Sequence, residues 1–497
     1  MVTMNIKRKH TWYIVLSLFT SLAVISCTDE FFETEVGGRI NPDQHYNSSL
    51  DAEVSFAGTF VYVQEIAEKM VLVDGLRSDQ MIITENADID MFNLNIHNLD
   101  AQNPYIDPSN FYKIIININE VLPNLPQILG KDRDFDSLTL ETYEGTLITL
   151  RSWAYFMLAK LNGEVGIVPT DVSSLDPAEP VVYKSKSEII DDLILKLEPF
   201  YDPDDRIRFA LDHYVLLGEL YLEKGNYSKA KFFLKYAVDG QAYRNVFDVS
   251  TDFERENWED IFLNSNFNQG EVRTAIPYSF VDEQPTMLEE WFHEDYNYMV
   301  KPTDILIESF NSMVQLGGEK GDRFRGYGVS YDTTSMGEHF INKYSIDLGT
   351  PHSADVILYR AADIHLLLAE ALNRNGEEDL ALALLNDGIK NAGSPSGYSK
   401  WRRNVGIRGR VSLTNLRVPG GVTDRTSYIE DLIIEERARE LAFEGKRWFD
   451  LVRIAERRDD PAYLADKVAS KFDDPDLKEL VRTKLMDPAN WYLPIPR

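Results

Sequence analysis

Apolar residues recur along this chain at the three-and-four spacing of amphipathic helices. Leu50 to Met70 and Ser109 to Leu122 read as helices. Tyr143 to Leu161 reads as another, with Leu147, Leu150, Trp153, Ala154, Met157, Leu158 and Leu161 on one stripe. Ser187 to Phe200 follows, with Ser187 as its cap. A repeat comes next. Gly218, Tyr221, Ala230, Leu234 and Ala237 fall at the small and large positions of a tetratricopeptide-type unit, with Lys224-Gly225-Asn226 as its turn. The same steps recur at Ala369, Leu372, Ala381, Leu385 and Gly388, with Asn375-Gly376 as the turn. These patterns predict helical hairpins near 205–239 and 358–391. The first helix is expected to begin near Ile207.

The last periodic block, Tyr428 to Arg457, breaks near Gly445. Glu435, Glu436, Arg437, Arg439, Glu440, Arg447 and Arg453 form a charged stripe beside Leu432, Ile433, Leu441, Trp448, Phe449 and Val452. Catalytic carboxylates would fit such a stripe. An ion-pair lattice at a helix–helix seam fits it better, because acids and arginines alternate at helical spacing. Between the hairpins, the stretch 242–351 loses its period and fills with Asn, Asp, Gly and aromatics, among them Trp258, Phe262, Phe267, Tyr278, Phe280, Trp291, Phe292, Tyr296, Tyr298, Phe324, Tyr327 and Tyr331. A second irregular stretch, Asp88 to Pro108, holds Phe92, Asn93, Asn95, Asn98 and Tyr105. Long irregular segments inside a helical body tend to carry function.

The amino terminus changes the setting. Lys7, Arg8 and Lys9 precede an apolar stretch of about 14 residues that ends at Val24-Ile25-Ser26-Cys27, too short for the roughly 20 residues of a spanning helix. A basic region, a short apolar core and small residues at the cut make a secretory leader, 1–26. Cys27 is the only cysteine of the 497 residues, so no disulfide forms within the chain. At the first position after the cut it reads as a lipidated residue, which anchors 27–497, a single domain, to a bilayer by acyl chains. Thr28 to Ser49 reads as a tether that docks onto the body.

Composition then narrows the function. With 51 Lys and Arg against 81 Asp and Glu, the net charge is −30. A surface of that sign repels phosphate backbones, which excludes nucleic-acid binding. No His-Glu-x-x-His is present, Gly393-Ser394-Pro395-Ser396-Gly397 is not a nucleophile elbow, and Gly317-Gly318-Glu319-Lys320-Gly321 lacks the Lys-Ser/Thr of a P-loop. The eight histidines are scattered and make no local metal set. No cofactor is expected. What remains is binding. A sugar ring offers an apolar C–H face and a hydroxylated rim, matched by aromatic rings and by Asn, Asp and Arg. Trp291, Tyr296 and Tyr298, with Tyr105 from the other irregular stretch, are the candidate platform. Arg77, Asp79, Asn93 and Asn98 are the candidate polar partners.

Four stretches resemble the SusD/RagB family of surface nutrient-binding lipoproteins: Cys27-Thr28-Asp29-Glu30-Phe31, the segment Tyr359 to Ala371, the segment Glu436 to Leu451, and Trp491-Tyr492-Leu493-Pro494-Ile495-Pro496. The family's usual aromatic-Gly-Asp turn is here Asn162-Gly163-Glu164. The resemblance implies a mainly α fold of tetratricopeptide-like hairpins with a loop-rich ligand-binding face, and no enzymatic activity. It implies a lipoprotein on the outer face of the outer membrane. Its partner would be a SusC-type TonB-dependent transporter and its ligand an oligosaccharide or, in some members, a peptide. Two other readings compete: a tetratricopeptide scaffold that binds only proteins, and a surface glycoside hydrolase.

Overall fold

The computed structural model describes residues 45–495, apart from 171–180, 203–208, 282, 346–351, 394, 400, 402 and, within 240–270, all but Trp258, Ile261 and Phe262. Cys27, the leader, the tether up to residue 44 and Phe267 lie outside the described residues. The chain order is α1 Ser49–Arg77, β1 Met81–Ile83, α2 Ile89–Asn95, α3 Ser109–Val121, α4 Ser137–Asn162, β2 Glu164–Gly166, β3 Tyr183–Ser185, α5 Lys186–Leu197, α6 His213–Glu223 and α7 Tyr227–Asp239. It continues with β4 Val272–Ile276, α8 Leu288–Phe292, β5 Val300–Pro302, α9 Asp304–Asn311, β6 Tyr331–Thr333, β7 His339–Ile341 and β8 Val356–Arg360. Then come α10 Ala361–Arg374, α11 Glu378–Leu385, α12 Ile407–Arg410, α13 Arg425–Glu440, α14 Arg447–Arg458, α15 Pro461–Ala469 and α16 Pro475–Leu485. The strands form antiparallel pairs, β1 with β5, β2 with β3, β4 with β8 and β6 with β7.

Both repeat units are helical hairpins, α6–α7 and α10–α11, and α7 packs on α10. Gly218 shows why a small residue is needed: a Cβ there would lie 2.4 Å from Leu234 Cγ of the facing helix. Ala230, Ala369 and Ala381 are likewise fully buried. Two details differ from the sequence reading. The first hairpin starts at His213 because the Asp212 carboxylate accepts from the amides of Tyr214 and Val215 and fixes the helix end. Gly388 lies beyond α11, at φ 92°, where a Cβ would sit 1.9 Å from the Asn404 carbonyl. It serves backbone contact rather than helix crossing.

Helix α5 is capped two residues earlier than its period suggests, at Ser185. Strand β3 pairs with β2 up to Ser185, and the chain turns helical there. The Ser185 hydroxyl accepts from the Glu188 amide while Glu188 accepts from the Ser185 amide, a reciprocal capping box. Ser187 therefore lies within the helix. At the other break, Gly445 takes φ 72° and lets the chain reverse between α13 and α14.

The described part of 242–351 carries β4 to β7, α8 and α9 between turns, and most of its described aromatic rings enter the core. Trp258, Phe262, Tyr278, Trp291, Phe292 and Tyr331 are all buried. Its period is weak because its elements are short, three to eight residues each.

The charged stripe of α13 and α14 is an ion-pair lattice, and it is buried. Arg360, at the end of β8, donates to Glu271 (2.9 Å), Glu440 (2.7 Å) and Glu444 (2.8 Å). Arg410 joins Glu271 at 3.0 Å and also pairs with Glu440. Arg325 bridges Glu436 (2.8 Å) and Glu440 (2.9 Å). A second branch runs from Asp363 to Arg437 (2.8 Å), Asp450 (2.7 Å), Arg453 (2.7 Å) and Glu370 (2.8 Å). Buried charges persist only when paired and hydrogen-bonded, and here several partners surround each carboxylate.

Burial alone would raise the Glu440 carboxyl, but Arg410, Arg360 and Arg325 overcome it and hold it down at about 2. Burial is likewise overcome at Asp363 by Lys446 and Arg437, which hold it at about 2. A carboxylate depressed in the folded state stabilises above its unfolded value and stops doing so as pH falls through its folded one. Urea unfolding is therefore expected to show a stability plateau near neutrality. It is expected to fall steeply from about pH 4.5 towards about pH 2. A flat profile across that acid range would show that the lattice carboxylates contribute nothing.

Candidate ligand-binding face

The strand pair β1–β5 sets Met81 opposite Pro302 and Ile83 opposite Val300. It brings the segment after β1 against the segment before β5. Three contacts lock them. The Thr84 amide donates to the Met299 carbonyl (2.8 Å), and the Thr84 hydroxyl (2.8 Å) and Asn86 amide (3.2 Å) both donate to the Tyr298 carbonyl. The two irregular stretches singled out in the sequence thus meet at one face.

Asp88 organises the first stretch. One carboxylate oxygen caps α2 by accepting from the Met91 amide at 2.7 Å, and the other accepts from the Tyr105 hydroxyl at 2.6 Å. Burial and then Asp88 push the Tyr105 phenol well above its ordinary range, so it stays protonated. The Tyr105 ring meets Trp291 edge to face, with centroids 6.1 Å apart at 81°. Trp291 itself is buried in the main core, so it supports the face from behind.

The second stretch carries the accessible rings. Tyr296 and Tyr298 are half-buried. The Tyr296 hydroxyl lies 3.1 Å from His352 Nε2. Phe280 packs beside the same imidazole at 6.1 Å and is 55% exposed. His352 takes φ 58° and is fixed by its amide, which donates to Glu289 at 2.9 Å. Burial first, then Glu289, raises the Tyr296 phenol. Phe280, His352 and Asp88 were not among the candidates read from the sequence. The Asp88 cap had a local signal, an aspartate three residues before Met91. His352 had none, because it reaches Tyr296 across 56 residues.

Asn93 and Asn98 come together, Asn98 Nδ2 donating to Asn93 Oδ1 at 3.1 Å, with Asn98 exposed. Arg77 and Asp79 are elsewhere, and the reason is electrostatic. Arg77 is 0% exposed. It donates to the Trp491 carbonyl (2.8 Å) and lies 4.1 Å over the Trp448 ring. Burial lowers it to about 9, partly offset by Asp74. Asp79 accepts both arms of Arg447, at 2.8 and 2.7 Å. Both residues join α1 to α14 inside the body, so neither forms part of the rim assigned to them from the sequence. No group of three or more metal-ligating side chains occurs among the described residues. None of the described helices is long and apolar enough to cross a membrane.

The family model for the SusD family matches residues 229–497. The chain belongs to the SusD family. This is a family of binding proteins rather than enzymes. Over most of its length, the chain is similar to the SusD-like protein P38 of Formosa agariphila, 24% identical over 88% of this chain and 90% of the relative. Its fold is similar to that of a SusD superfamily protein from Bacteroides vulgatus. The TM-score is 0.65 and the identity 17%, covering 88% of this chain and 92% of the other. It is also similar to a laminarin-binding SusD-like protein, with TM-score 0.59 and 15% identity, covering 87% and 95%.

Removing the Asp79 carboxylate leaves Arg447 buried with less compensation. Asp79→Ala is expected to lower the unfolding free energy by about 3–5 kcal/mol in chemical denaturation. The folded fraction should bind ligand as the wild type does. Wild-type stability together with weakened ligand binding would return Asp79 to the binding face.

Proposed function

We propose that this chain captures an oligosaccharide at the cell surface and passes it to a SusC-type TonB-dependent transporter in the outer membrane. The observation that carries the reading is a set of accessible rings: Phe280 and Tyr296 flank His352, Tyr298 lies two residues on, and Tyr105 meets the same segment at Trp291. Rings of this kind match the C–H faces of sugars. The Asn93–Asn98 pair and His352 supply polar groups for the rim. The laminarin-binding relative supports the ligand class. Cys27 is the proposed lipid attachment site, supported by the leader that precedes it, and its acyl chains would tether the protein to the outer membrane.

The face suits capture followed by release. A few stacked rings, each burying apolar area worth roughly 25 cal/mol per Å², give affinities of about micromolar to millimolar after ordering costs. Such a ligand leaves readily when a transporter competes for it.

Tyr296→Ala and Tyr298→Ala, titrated by calorimetry against a polysaccharide panel, should each weaken binding of the recognised glycan about five- to thirtyfold. Circular dichroism should remain that of the wild type. Unchanged affinity in both variants would remove the aromatic platform. Binding to peptides and to no glycan would replace the ligand class.

A further inference from the structure

A second concavity, which shares Asn98 with the rim above but none of Phe280, Tyr296 and Tyr298, opens where the end of α4, the start of α5, the end of α14 and the C-terminal segment meet. Its volume is about 1010 Å³, at the upper end of small-molecule sites. Its wall offers several acceptors that no protein donor meets. Asn98 uses its side-chain NH₂ on Asn93 Oδ1 (3.1 Å), Asn162 on the Leu493 carbonyl (3.2 Å) and Asn490 on the Lys484 carbonyl (2.8 Å). Each amide leaves its Oδ1 turned to no protein donor. His97 repeats the pattern. Its Nε2 lies 3.1 Å from the Arg77 carbonyl, which only accepts, so Nε2 carries the proton. Nδ1 is then a buried acceptor without a partner, although the residue is 5% exposed. The main donor is Lys484, whose ammonium touches only the carbonyls of Ile96 and His97, both at 3.4 Å.

This inventory selects a ligand. An anion would face amide oxygens, and the α5 amino terminus offers it little. The Lys186 amide there donates to Gly163 and the Ser185 hydroxyl caps the first turn. A cation would meet Lys484, and the two lining carboxylates are already engaged, Glu456 by Lys186 at 2.6 Å and Glu164 by a partner of its own. A neutral polyhydroxylated molecule supplies hydroxyl donors to the three Oδ1 atoms and hydroxyl acceptors to Lys484. Leu99, Leu493 and Pro494 give its C–H groups an apolar floor. Asn162 and Leu493 also line a small cavity with Tyr105, so the cleft and Tyr105 flank one wall.

We propose that this cleft is a second saccharide-binding site, which takes a short neutral oligosaccharide or one end of a longer chain held at the aromatic face. It shares the ligand class of the proposed function but none of its aromatic residues.

The mature protein, titrated calorimetrically with a panel of short neutral oligosaccharides from glucans, mannans and xylans, tests it. Three forms are compared: wild type, Lys484→Ala/Asn490→Ala, and Tyr296→Ala/Tyr298→Ala. Asn490 is exposed and the Lys484 ammonium makes only 3.4 Å contacts to two carbonyls, so the cleft variant keeps its fold. Two binding events are expected in the wild type, with one weakened at least about tenfold in the cleft variant and retained in the aromatic one. A single event lost only in the cleft variant would support the cleft and overturn the aromatic platform. Binding that survives in the cleft variant at wild-type affinity, or no binding to any sugar, overturns the cleft.

Discussion

Arginine and glutamate inside the body are the constraint on which this structure depends. Arg325, Arg360 and Arg410 converge on Glu440, and none of these side chains is more than marginally exposed. Desolvating so many charges costs several kcal/mol per ion, so the arrangement is stable only when its geometry is closely satisfied. That demand makes it a positioning device. Glu271 precedes β4, Arg325 follows α9, Arg360 ends β8, and Glu436 and Glu440 lie on α13. One lattice therefore fixes four regions of the chain relative to one another. Arg447 extends it through Asp79 to the end of α1, directly before β1.

The binding face inherits that rigidity. Strand β1 leaves the Arg447–Asp79 pair and runs into the Thr84–Asn86 segment, which holds the Tyr298 carbonyl. Trp291, rooted in the core, backs Tyr105. Rings held this way lose little freedom on meeting a ligand, so more of the contact energy appears as affinity. The charge that surrounds the body is left for solubility, since the proposed contacts at the rings are aromatic and neutral. A rigid face with few anchoring rings fits a protein that holds its ligand briefly.

Much of this was legible in the sequence, and the failures have physical causes. Helical hairpins announce themselves because 3.6-residue periodicity survives in the sequence, and Gly218 marks the crossing with Leu234. The lattice was legible as a charged stripe on α13 and α14. Its burial was not, because Arg360 finds Glu440 across 80 residues and Arg447 finds Asp79 across 368. Arg77 and Asp79 were misassigned for the same reason. A charged pair near an irregular segment looks like a ligand rim until its distant partners are known. The aromatics of 242–351 looked like surface because short strands carry little period, yet Trp258 lies between Arg360 and Arg410 at 5.1 and 4.9 Å from its ring. Tyr105, Tyr296 and Tyr298, nominated from the same irregular stretches, stay partly accessible, and their role in binding is a proposal.

The central claim is that a prearranged face receives the ligand while the ion-paired body stays unchanged. Hydrogen–deuterium exchange with and without saturating oligosaccharide tests it most directly. Slower exchange confined to the segments 83–105 and 278–300 and the walls of the cleft, with α13 and the buried first turns of α14 slow and unaltered in both states, is the predicted result. Broad protection of α13 and α14 on binding, or protection that avoids both irregular segments, would contradict it.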